Sequence, residues 1–139
     1  MNVALHMGPM LERHPHGSAR YLQGLMQSLP DLGVHLVTFA AGDPSEHRRR
    51  DWPGFVQLGH PFSPARDRLW VRLRLPPLRL DTPVDVVHAP DLVVPPPGRA
   101  GLVVTVPDVR IVVDPDALES SARRMLRHGL DIARAEAHT

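Results

Sequence analysis

The stretch that decides the fold is residues 85–108, DVVHAPDLVVPPPGRAGLVVTVPD. Two short apolar runs, 84–88 and 102–106, each end at a His or a Pro, with an Asp close behind. Between them lies Pro95-Pro96-Pro97-Gly98, too stiff and too poor in amide donors to be helix or strand. Continuous β-branched runs bounded by breakers predict strands buried on both faces, as in a parallel α/β sheet. In such sheets ligands sit beyond the carboxyl ends of the strands, where the polar residues of this stretch would gather.

Working outward, residues 2–7 (NVALHM) predict a first strand, and 8–16 (GPMLERHPH) a loop with Gly, two Pro and two His. Gly17-Ser18 opens a helix with Ser18 as N-cap. Leu22, Leu25, Met26 and Leu29 then fall at i, i+3, i+4 and i+7, one apolar stripe for a sheet to cover. Residues 30–33 (PDLG) stop that helix, and 34–39 (VHLVTF) predict a second strand, completing a βαβ unit. Residues 40–53 are polar and turn-rich around Arg48-Arg49-Arg50, and 55–58 predict a third strand. Residues 63–75 predict a helix from a Ser63 cap, its Leu69, Trp70 and Leu73 alternating with Arg as a partly exposed amphipathic surface. Beyond the deciding stretch, Asp114-Pro115-Asp116 predicts the start of a last helix, Asp116 and Glu119 having capping-box character. Leu118, Ala122, Met125, Leu126, Gly129 and Ala133 would be its inner face. The fold class is therefore α/β, a Rossmann-like parallel sheet flanked by helices.

With 139 residues, the chain is one domain long enough for a real core. A net charge of +1 implies no strong electrostatic partner. With 4% aromatic residues and no one-sided charge, nucleic-acid binding is not expected. Every basic residue is Arg and Cys is absent, which excludes disulfides and thiolate metal sites. No apolar run approaches ~20 residues, so no membrane span is expected. The N-terminus has no charged region ahead of its apolar run and predicts no signal peptide. The expectation is a cytoplasmic protein, at most peripheral on a membrane.

Candidate chemistry is sparse. Gly17 ahead of a helix would let a ligand approach the backbone, with first-turn amides attracting an anion. A single Gly there also serves to relieve crowding at a turn, and the three-glycine dinucleotide fingerprint is missing. Arg20 and Tyr21 on the first turn would reach a ligand or be solvated. His6, His14, His16, His35, His60, His88, His128 and His138 lack metal-ligand spacing, so no metal is expected. His88 ends a buried strand, as a donor to a ligand oxygen or as a satisfied core histidine. Asp108 follows the fifth strand, as a ligand contact or as the cap of a turn after Pro107. Arg48–Arg50 suits a solvated loop.

Four strings together resemble the N-terminal domain of GT-B glycosyltransferases, specifically the retaining family four (group 1) that includes mannosyl- and glucosyltransferases. His16-Gly17-Ser18-Ala19-Arg20-Tyr21 is similar to that family's Gly-Gly-x-Gly-Arg-Tyr loop, keeping the second Gly, the Arg and the Tyr. Asp85-Val86-Val87-His88-Ala89-Pro90 matches whole, and Val103-Val104-Thr105-Val106-Pro107-Asp108-Val109 resembles Val-Val-Thr-x-His-Asp-Leu. Ser121–Leu130 resembles the Arg-rich helix that follows. Two departures stand out: Pro107 replaces a His that contacts the reaction centre, and His16 replaces the loop's first Gly.

The resemblance implies that 1–139 is the acceptor-side domain, cut short of the donor-binding domain and inactive in hexose transfer by itself. In an intact enzyme, the backbone at Gly17 and Ser18 would line the cleft and Arg20 would pair with a donor phosphate. His88 and Asp108 would shape the acceptor side. The donor is a nucleotide-sugar, the acceptor a sugar, lipid or other molecule, and no further cofactor is implied. No nucleophile or general base is assigned. The alternative, favoured by Pro107, is a non-catalytic sugar- or nucleotide-binding or interaction domain of the same fold.

Overall fold

The computed structural model describes residues 1–11, 17–41, 52–58 and 64–136. Five strands, β1 (Asn2–His6), β2 (His35–Ala41), β3 (Val56–Leu58), β4 (Val86–Ala89) and β5 (Gly101–Val104), form one sheet in the order β3-β2-β1-β4-β5. Every pairing is parallel. The chain moves outward from β1 to β3, then returns to lay β4 and β5 on the other side. This is a Rossmann-like α/β sheet whose order reverses between β1 and β4. Its helices are α1 (Gly17–Ser28), α2 (Pro64–Leu73), the four-residue α3 (Arg110–Val113) and α4 (Ser120–Glu136). No helix among the described residues is long and apolar enough to cross a membrane.

The central strand shows why the apolar runs are continuous. Successive side chains point to opposite faces. Val3, Leu5 and Met7 join Ala19 and Leu22 of α1 in one buried cluster. Ala4 joins Phe39 and Val87 in a second, covered by Trp70, Leu78 and Leu80. A strand covered on both sides needs an apolar residue at every position. The α1 stripe packs as its spacing predicts, with Leu22 fully buried and Leu25, Met26 and Leu29 against the same cluster. The helix already includes Gly17, so Ser18 lies in its first turn rather than capping it. After α1, a 3-10 turn over Pro30–Leu32 closes on Gly33, whose φ of 73° is left-handed and favours glycine.

The Pro-rich connection is neither helix nor strand, and Val94, Pro95 and Pro96 in it are buried. Prolines bring no N–H to leave unpaired, and the Pro96 carbonyl accepts from the Leu78 amide at 2.9 Å. Here the segment's poverty in donors is what lets it be buried.

Two expectations need correction. β5 is not buried on both faces: its residues alternate between exposed and half-buried, and Val103 is 47% exposed. It is an edge strand that pairs only with β4 among the described strands, so one apolar face suffices. The C-terminal helix does not begin at Asp114–Asp116. α3 comes first, a 3-10 turn follows over Pro115–Ala117, and Leu118 is extended at φ −98° and ψ 144°. That extended residue breaks the helical path, and α4 starts at Ser120. Asp116 therefore closes no capping box; its carboxylate pairs with Arg123 of α4.

Gly129 is buried where α4 meets the chain after β4; a Cβ there would lie 2.0 Å from the Leu92 carbonyl oxygen. At its end, Glu136 forms an ion pair with Arg74, which also donates to the Val94 carbonyl at 2.6 Å. These contacts anchor α4 along its second half.

Candidate functional site

The crevice where the strand order reverses is bordered by the carboxyl ends of β1 and β4. In register, Leu5 lies beside His88, so His88 shares the α1 face. Its Nε2 lies 2.9 Å from Thr105 Oγ1, one residue beyond β5, and 3.5 Å from the Tyr21 hydroxyl on α1. The Thr105 hydroxyl donates to the Tyr21 oxygen at 3.2 Å. The Tyr21 and His88 rings meet edge to face, centroids 5.8 Å apart. Three elements distant in sequence thus close one polar triangle. Burial lowers the pKa of His88 and favours the neutral imidazole.

Gly17 stands one turn before Tyr21, four residues away on the same face of α1. No described atom lies within 4 Å of where a Gly17 Cβ would be. Relief of crowding therefore does not explain this glycine among the described residues. Ser18 is half-buried and Arg20 exposed on the same turn.

Asp108 takes the turn role. Its carboxylate accepts the Arg110 amide at 3.0 Å and binds the Arg110 guanidinium through Nε and a 2.6 Å terminal contact. Hydrogen bonding to Arg110 holds the Asp108 carboxyl below its usual range. The pair also fixes the start of α3. Of the expected residues, then, the fold unites His88 with the Gly17 turn through Tyr21, while Asp108 is engaged with Arg110.

His6, at the end of β1, points to the opposite face, its ring 5.4 Å from that of Phe39. Burial pushes its pKa down from 6.5 to about 4. Nδ1 has no partner among the described residues. Gly8 crosses directly above: a Cβ there would lie 2.8 Å from His6 Cε1, closer than a side chain tolerates.

Sequence reasoning gave Thr105 no role and left Tyr21 between ligand and solvent. The available signal was position: both lie in the strings that resemble the glycosyltransferases, at a helix start and a strand end. His14, His16, His47, His60, His138 and Arg48–Arg50 lie outside the described residues. Among those described, no group of three or more His, Asp or Glu side chains is placed to hold a metal ion. Compared with known proteins, the chain matches no family model, no curated protein and no solved structure.

Proposed function

We propose that this chain is the acceptor-side domain of a GT-B glycosyltransferase that moves a hexose from a nucleotide-sugar to an acceptor. One observation carries the reading. Tyr21, His88 and Thr105 come from three separate strings of the resemblance, and they form one hydrogen-bonded cluster at the carboxyl ends of the strands. Three strings kept only by chance have no reason to converge on the edge where such sheets bind ligands. No described atom crowds Gly17 at the start of α1, which suits a donor phosphate, with Arg20 exposed beside it. The nucleotide-sugar would be held across the cleft by a second domain.

The test is Gly17→Val in the natural gene product. Because no described atom lies within 4 Å of its Cβ, the variant is expected to fold normally and to lose donor affinity roughly tenfold. Unchanged turnover and donor affinity would remove this loop from the ligand site. Pro107 favours a second reading, a binding domain that keeps the fold without the chemistry. It is exposed and offers no donor where the resemblance places a His. Tight ligand binding without transfer by the natural gene product would select that reading.

A further inference from the structure

We propose that the open edge of β5 is a docking surface for a second copy of this chain, the two β5 strands pairing antiparallel about a two-fold axis at Val103. The inference does not use the transferase reading.

The direction of the amides leads to it. The Gly101 amide donates to the Asp85 carbonyl and the Thr105 amide to the Ala89 carbonyl, both at 2.9 Å. Odd-numbered residues of this strand therefore turn their backbone groups toward β4. Those groups alternate in direction along a strand, so Leu102 and Val104 point theirs out of the sheet. No described strand takes them. Edge strands are ordinarily blunted by charge, by proline or by being very short. Residues 101–106, GLVVTV, carry neither charge nor proline, whereas the opposite edge, β3, is only three residues long. The first charges beyond, Asp108 and Arg110, neutralise each other.

Symmetry selects the occupant. In an antiparallel pair centred on Val103, Leu102 lies opposite Val104 of the second copy, and Val104 opposite its Leu102. Each such pair exchanges both of its N–H···O bonds, so together they use every outward amide and carbonyl of β5. Val103 meets its own counterpart in a non-hydrogen-bonded pair, where side chains come closest, and this covers part of a residue now 47% exposed. The ends fit as well. A cavity of about 510 Å³ opens at the start of the same strand, walled by Pro77, Pro96, Pro97, Leu102 and the Arg74–Glu136 pair. Continued by two residues, the register places the second copy's Val106 opposite Ala100, which also lines that cavity. Val106 has the parity of Leu102, so its side chain lies on the same face of the sheet.

The experiment is sedimentation equilibrium on the 139-residue chain over a dilution series, with hydrogen exchange alongside. The mass expected at the concentrated end is about twice the 15.4 kDa of the chain, with exchange at Leu102 and Val104 slowing as the dimer forms. Val104→Pro removes an outward amide and no bond to β4. It is expected to leave the monomer folded and to weaken the dimer roughly tenfold. Should that variant fail to fold, Val103→Lys replaces it, setting like charges opposite each other with the same loss expected. A chain that stays monomeric at every concentration would overturn the proposal. So would a dimer that both variants leave intact, since its contact would lie elsewhere. Protected Leu102 and Val104 amides in a monomer would put another segment of the chain on this edge and overturn it too.

Discussion

His6 at the end of β1 and His88 one residue before the end of the adjacent β4 lie on opposite faces of the sheet, and their surroundings give them different work. His6 is enclosed by Phe39 and Gly8, with its pKa pushed down from 6.5 to about 4. Above pH 6.5 both folded and unfolded chains hold this residue neutral, so the fold keeps its full stability. As the pH falls toward 4, the unfolded chain takes up a proton that the folded one refuses. Stability is lost across that window, by about 3 kcal/mol at most. His6→Phe is expected to flatten the acid limb of urea midpoint against pH; an unaltered limb would mean that His6 titrates normally. Gly129→Ala sets a helix preference of ~1 kcal/mol against a Cβ 2.0 Å from the Leu92 carbonyl oxygen. The clash should win, with a net loss of about 1–3 kcal/mol by urea denaturation. At this scale the sequence was only partly legible. His88 could be singled out because it ends an apolar run, but Thr105 sits inside one. Nothing local to Thr105 says that a histidine 17 positions earlier will lie 2.9 Å away.

Elements whose period matched their burial were the legible ones. The α1 stripe and, apart from the buried His6 and His88, the β1 and β4 runs are apolar where they meet a covered face, so periodicity and packing carry the same information. Leu22→Ala should therefore cost about 2–5 kcal/mol, measured by denaturation. A cost below 1 kcal/mol would mean that α1 is not packed on the sheet. The amino end of the sheet has its own fastening. Asp85 Oδ2 accepts the Asn2 amide at 2.7 Å, and the Asp85 amide donates to the Asn2 carbonyl at 2.9 Å. Asp85→Ala removes the first of these and keeps the second. The expected result is a loss of about 1 kcal/mol and faster hydrogen exchange at Asn2, with Leu5 unchanged. Legibility failed at β5 and after α3. A short β-branched run looks alike in a central strand and at an edge, because topology rather than composition decides which faces are covered. Around Pro115, helix signals were present, but the extended Leu118 moved the start of α4 to Ser120.

For the whole molecule, short apolar runs separated by long connections imply a parallel sheet, since parallel neighbours need long crossovers. The fold class was legible for that reason. The convergence of three strings on one crevice was not, because no single string contains the geometry of the other two. The proposed function rests on that crevice and not on the sheet, which serves many chemistries. The central claim is nucleotide-sugar-dependent transfer, and the most direct measurement is made on the natural gene product purified from its host. Its intact mass is recorded, and release of nucleoside diphosphate from a panel of nucleotide-sugars is followed with and without added acceptor. The account predicts a mass well above the 15.4 kDa of this chain. It also predicts acceptor-stimulated release from at least one donor, diminished by Gly17→Val. A folded product of 15.4 kDa that releases nothing from any donor would contradict it.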